Sequence, residues 1–200
     1  MNREAYLNAL TALLRPKFEE LKSPLPDLLH ISVGFPSRGA LSSKKRRIGE
    51  CWDGCASKDG VQHIFISPLL DAADAAHVLV HELAHAALPS GTAHKRPFAS
   101  LAKKLGLEGK PTATVAGDEL KSELANMLTA LGDYPHAVLS HEALERKKQS
   151  TRMKKVTCPE CGYTVRTTAK WLEKGNPLCP EHGEMLPEGE EEETSEDDAA

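Results

Sequence analysis

The sequence predicts an α+β fold. Residues 61–67 alternate His63, Phe65 and Ser67 with Ile64 and Ile66, the period-2 pattern of a strand with two unlike faces. The windows 72–88 and 118–131 are instead rich in Ala, Leu and Val at helical spacing, with no Gly or Pro inside them. Two short Cys/His pairs near the C-terminus lie beyond these elements and mark a separate small module. The expected architecture is a small antiparallel sheet packed on helices, followed by that module.

The elements follow in order. Residues 1–20 intersperse Ala5, Leu7, Leu10, Leu13 and Leu14 with Arg3, Glu4 and Arg15, which predicts an amphipathic helix ending near Leu21. It has neither signal-peptide nor membrane-span character. Ser23-Pro24-Leu25-Pro26 forms a turn, Ile31–Val33 begins a first strand, and Gly34–Ser43 is a loop. Strands follow around Ile48–Trp52 and Val61–Ser67. The next helix takes Asp71 or Asp74 as N-cap and runs from Ala72 to Leu88, with Val78, Leu79, Leu83 and Ala86 facing inward. Pro89-Ser90-Gly91 stops it and turns the chain. A second helical stretch covers Lys95–Leu105 with Pro97 in its first turn, and a third covers Asp118–Leu131. No internal repeat is evident.

The first of these helices carries the chemistry. His81-Glu82-Leu83-Ala84-His85 places two imidazoles four residues apart, on one helix face, so both can reach one metal ion. Glu82, beside the first of them, is placed to handle the protons of a metal-bound water, which is the H-E-x-x-H pattern of zinc hydrolases. Catalytic zinc takes three protein ligands and keeps a fourth position open. His94 is the natural third ligand, because the turn after the helix brings it back; a surface histidine is the bland alternative. The metzincin spacing is excluded, since Leu88 and Gly91 occupy the positions of its Gly and third His. A gluzincin arrangement would use Glu119 or Glu123 instead, on a helix face that solvation alone also explains.

A second set of metal ligands is Cys158-Pro-Glu-Cys161 and Cys179-Pro-Glu-His182. Two such knuckles close a tetrahedral structural zinc site, and Gly162 and Gly183 permit the tight turns after them. Tyr163–Thr168 reads as a strand between the knuckles and Ala169–Lys174 as a short helix or turn. With so few apolar residues, this zinc ribbon is expected to need its metal to fold.

The chain resembles the SprT-like metalloproteases, which include the Spartan proteases of DNA–protein crosslink repair. The resemblance rests on Arg47-Ile48-Gly49-Glu50-Cys51, on His63–Leu70, on His81-Glu-Leu-Ala-His85-Ala, and on His94-Lys-Arg-Pro-Phe98, over roughly residues 5 to 140. Lys95 stands where the family often has Gly, and the spacer from His85 to His94 is short. A zinc ribbon after the protease domain fits the same architecture. The resemblance implies a minimal zincin-like metalloprotease domain over 1–145; the Cys/His spacing and the charge pattern place a basic linker over 146–155, a ribbon over 156–186 and an acidic tail over 187–200. The resemblance also implies protein substrates chosen by their location on DNA.

The expected mechanism uses one catalytic and one structural Zn²⁺. Zinc lowers the pKa of a bound water from about 16 to roughly 7. Glu82 accepts that proton and passes it to the leaving amine. Tyr134, His136 and His141 are candidate donors to the oxyanion, without a spacing argument for any of them. The strand at 61–67 is expected to pair with an extended substrate backbone.

Composition frames these expectations. At 200 residues and 40% hydrophobic, the chain holds one moderate domain plus the ribbon. The ribbon leaves Cys51 and Cys55, whose spacing suits neither a redox pair nor a metal pair, so they are read as buried or idle thiols in a cytoplasmic protein. Net charge is −4, but residues 187–200 hold eight acidic groups and no basic one, which leaves 25 basic against 29 − 8 = 21 acidic residues in the body. That tail is low in complexity and expected to be disordered. Basic residues cluster at Lys44-Lys45-Arg46-Arg47 and from Arg146 through Lys154 and Lys155, with Arg166, Lys170 and Lys174 in the ribbon. Clusters like these bind nucleic acid phosphates, although a solvated loop or linker explains each one alone. DNA and a protein substrate are therefore the expected partners, a membrane is not, and a monomer is the favoured state. The other reading is a non-catalytic, transcription-associated protein on a protease-like scaffold. The intact Glu82 favours catalysis, because a scaffold needs no base.

Overall fold

The computed structural model describes residues 1–42, 45–140 and 153–187. The chain divides into two compact units, Met1–Leu144 and Glu145–Ala200. Together the described residues make a mixed α+β protein with five α-helices and several small sheets.

The first unit opens with α1 (Arg3–Glu20), capped by Asn2, whose side chain accepts from the Ala5 amide at 2.8 Å. Tyr6, Leu7, Leu10, Leu14 and Phe18 are its buried stripe. Next come β1 (Leu29–Val33), β2 (Gly49–Trp52), a single 3₁₀ turn at Gly54–Ala56, and β3 (Gln62–Ile66). Ile64 and Ile66 face the core while His63 and Phe65 are half-exposed, as the alternation requires.

The sheet is not antiparallel throughout, as the sequence suggested. Its order is β1-β3-β2, with β1 parallel to β3 and β2 antiparallel to it. The reason lies in the connections. The short return through Gly54–Ala56 allows only an antiparallel β2–β3 pair, whereas residues 34–48 are long enough to carry the chain past β3 to its far side. Because β3 is bonded on both sides, it has no edge to offer a substrate strand. In this sheet β1 and β2 are the edges.

Helix α2 (Ala72–Ala86) takes Asp71 as its cap, the side chain accepting from Asp74 N at 2.9 Å. Val78, Leu79, Val80, Leu83, Ala84 and Ala86 are all buried, so this helix runs through the core. Then follow α3 (Arg96–Lys104), a hairpin of β4 (Leu107–Lys110) and β5 (Ala113–Ala116) that the sequence reading missed, and α4 (Asp118–Leu131). One hydrophobic core joins α1, the sheet's inner face, α2, α3 and α4 through Leu10, Ile64, Leu83, Phe98 and Leu120.

The second unit has β6 (Met153–Thr157), β7 (Thr164–Thr168), α5 (Ala169–Leu172) and three two-residue strands, β8 (Leu178–Cys179), β9 (Gly183–Glu184) and β10 (Leu186–Pro187). Residues 153–155, expected in the linker, belong to β6, and Pro187, expected in the tail, belongs to β10. The rest of the linker, from 146 to 152, and the tail from 188 on lie outside the described residues.

Candidate metal centre

The first site is built by α2 and the turn that leaves it. His81 and His85 stand one turn apart on α2. After Pro89 the chain reverses through Gly91 (φ 74°) and Ala93 (φ 46°), and Thr92 Oγ1 donates to Pro89 O at 2.6 Å. That turn delivers His94. Its Nε2 lies 3.2 Å from His81 Nε2 and 3.1 Å from His85 Nε2. Tetrahedral zinc with metal–nitrogen bonds of 2.0–2.1 Å separates its ligand atoms by about 3.3 Å, so the donor set fits that ion.

Phe98, fully buried on α3, packs against all three rings. It stacks on His85 with centroids 4.1 Å apart and meets His81 and His94 edge-on at 4.9 and 5.0 Å. Burial and the neighbouring imidazoles push His81 down to about 3 and His85, facing His94, down to about 4; burial and Arg47 lower His94 as well. All three are therefore neutral at pH 7, which is the form that binds a metal. Thr114 Oγ1 on β5 lies 2.7 Å from His81 Nδ1. By accepting that proton it leaves the Nε2 lone pair for a metal and fixes the ring's orientation.

Glu82 is 6% exposed. Burial, assisted by Glu50, pushes its carboxyl up to about 8, against an opposing pull from Arg47. Glu50 is itself held charged: burial alone would raise it, but the Ser37 amide and hydroxyl, Trp52 and Arg47 all hydrogen-bond it and bring it below the usual carboxylate range.

The alternative ligands stand elsewhere. Glu123 is ion-paired with Lys17 of α1, and Glu119 is exposed. Tyr134 and His136 belong to an anchor around Arg3: the guanidinium lies 4.8 Å over the Tyr134 ring and donates to the Pro135 and His136 carbonyls. His141 lies outside the described residues. Cys51 is half-buried, and burial, with Glu82 and Asp53 nearby, pushes its thiol up to about 12, so it is inert; Cys55 is exposed.

The second cluster is Cys158, Cys161, Cys179 and His182, whose ligand atoms all lie within 4.8 Å of one another. Cys161 Sγ and Cys179 Sγ are 3.6 Å apart, and His182 Nδ1 is 3.6 Å from Cys179 Sγ. Thiolate–zinc bonds of 2.3 Å in a tetrahedron put sulfurs about 3.8 Å apart, so this set fits as well. Gly162 (φ 75°) and Gly183 (φ 86°) take the left-handed turns expected after each knuckle.

The basic candidates are dispersed. Lys45 and Arg46 are exposed beside β2, Arg47 is bonded to Glu50 at 2.7 Å, and Lys44 lies outside the described residues. In the second unit, Lys155 and Arg166 are direct partners across β6 and β7, with Lys154 opposite Thr167.

Thr114, and the contact of Gly49 with Glu82 beyond its place in the Arg47–Cys51 segment, escaped the sequence reading. A signal for the Thr114 hairpin existed: turn-forming Gly109 and Pro111 precede the β-branched Thr114 and Val115. Among known proteins, no family model, curated protein or solved structure matches the chain.

Proposed function

We propose that the chain is a zinc-dependent peptidase of the SprT-like kind, cleaving protein substrates at DNA. The observation that carries this reading is the convergence of three neutral imidazole Nε2 atoms, with the buried Glu82 carboxyl on the same helix next to the first of them. Bound zinc would supply a Lewis acid and a water of lowered pKa. His81, His85 and His94 would hold the ion, and Thr114 would keep the His81 ring in the liganding tautomer. The raised pKa of Glu82 belongs to the metal-free site; a bound dication would favour its carboxylate, which would then take the proton from the attacking water and deliver it to the leaving amine.

The fold reading follows from the same residues: a minimal zincin-like domain, then a zinc ribbon on Cys158, Cys161, Cys179 and His182. An extended substrate backbone would pair along β2, which is an edge strand and packs beside α2. Association with DNA rests on Lys45 and Arg46 beside that edge and on Lys154, Lys155 and Arg166 in the ribbon.

Glu82→Gln tests the chemistry. Wild type and variant should each carry about two zinc ions per chain, because Glu82 is not a ligand. Wild type should cleave a histone in the presence of single- or double-stranded DNA, and the variant should be slower by about 100-fold or more. A variant as fast as wild type removes Glu82 from the mechanism. A wild type inactive under every DNA condition removes the peptidase reading and favours the scaffold.

A further inference from the structure

The wall against the Glu82 carboxyl is a glycine, and space rather than backbone requires it. Gly49 opens β2 on the face turned toward α2. A Cβ placed there would lie 2.4 Å from Glu82 Oε1, 2.5 Å from Val78 Cγ1 and 3.0 Å from Glu82 Cδ. Those separations are far inside van der Waals contact, so any side chain at 49 must displace something. Gly49 is not among the glycines with positive φ, so its backbone would accept an L residue.

Neither wall yields easily. Val78 and Glu82 are buried on a core helix. The start of β2 is pinned on several sides. Gly49 is in register with Ile66, Ser67 N donates to Ile48 O at 2.9 Å, and Glu50 is held by Ser37 and Arg47. The softest part of the contact is the carboxylate end of Glu82.

We propose that Gly49 is a positioning residue for the chemistry at Glu82: the side chain it lacks is the slot that holds this carboxylate between β2 and α2, one residue along the helix from the first imidazole. The role rests on the peptidase reading, while the slot itself rests on packing alone. Gly49 contributes no metal ligand, so a methyl group here would leave the ion in place and turn the base away from it. The loss then falls on the chemical step and leaves substrate binding along β2 intact.

Two measurements on the full-length, zinc-loaded protein test this. In histone cleavage with single-stranded DNA, Gly49→Ala should keep the zinc content of wild type and a KM within about threefold of it, while kcat falls about 100-fold. A wild-type kcat, or a loss confined to KM, overturns the proposal. The second measurement is a thermal-melting cycle that needs no activity. Gly49→Ala should lower Tm by about 5 °C or more in the wild-type background, and by much less in a Val78→Ala/Glu82→Ala background, where the obstructing atoms are gone. An equal loss in both backgrounds shows that the cost comes from the strand and overturns the slot. If wild type cleaves nothing, the peptidase reading fails, and the cycle still decides whether Gly49 makes room for Glu82.

Discussion

Three neutral imidazoles packed around Phe98 set an acid limit on the metal-free protein. An unfolded histidine titrates near 6.5, whereas burial lowers His81 to about 3 and His85 to about 4. Below pH 6.5 the unfolded chain therefore binds protons that the folded site refuses. The stability these histidines contribute is fully present above pH 6.5 and is lost as pH falls from there toward 4 and 3. Each buried ring costs about 1.4 kcal/mol per pH unit across that window. Chelator-treated protein should show a Tm that falls from pH 6.5 to 4.5, where the histidine protons outweigh the one Glu82 holds, and that also declines from pH 7 to 8, where Glu82, protonated in the fold up to about 8, ionises on unfolding. In the His81→Gln/His85→Gln variant the acid slope should flatten. An acid slope unchanged by the double substitution would place the sensitivity elsewhere.

At the scale of elements, one charged side chain ties three segments together. Arg3, 6% exposed in the first turn of α1, donates to the carbonyls of Pro68, Pro135 and His136 at 3.2, 2.8 and 3.1 Å. It thereby fixes the loop that leads from β3 into α2 and the chain that leaves α4. Arg3→Ala removes three charge-assisted bonds, although Pro68 O keeps the Leu139 amide and the Pro135 and His136 carbonyls lie nearer solvent, so it should cost roughly 2 kcal/mol. Arg3→Lys keeps the charge but not the planar fork, and should recover less than half of that in urea unfolding. If Arg3→Ala melted like wild type, the anchor would be decorative.

The same scale explains what the sequence disclosed. Periodicity and caps were local, so α2 and α4 were legible from their Ala, Leu and Val spacing, and β3 from its alternation. The knuckle glycines and the i,i+4 histidines were equally local, which is why both metal clusters were visible before any contact was known. Whatever depended on pairing at a distance was not. Sheet order turns on where residues 34–48 travel, and Arg3 reads as a solvated helix residue until Pro68 and Pro135 are brought to it. The Thr114 hairpin and the Gly49 strand start have local signals, but the role of each residue comes from a side chain of α2 that only the fold brings to it.

For the whole molecule, the contrast between the two units predicts how each depends on metal. The N-terminal unit has a large hydrophobic core reaching from Leu7 to Leu124, and its histidine cluster sits at the border of that core. Among the described residues, the buried core of the C-terminal unit is Val156, Cys158, Cys179 and Met185, with Val165 and Leu172 against them. Two of those four belong to the Cys/His cluster that could hold a metal ion. Without a cation their sulfurs are no longer drawn together, any that ionise repel one another, and little apolar burial remains to hold β6, β7 and β10. A strong chelator should therefore unfold the second unit while the first stays folded and melts only a few degrees lower. Hydrogen exchange after chelation should show amides 153–168 losing protection by at least about 100-fold, while those of α2 between 78 and 84 remain protected. Cys158→Ser should reproduce the loss in the second unit with chelator absent, and His94→Ala should not. If amides 153–168 stayed protected after complete metal removal, the second unit would be folding on its apolar residues alone, and its Cys/His cluster would have no structural role.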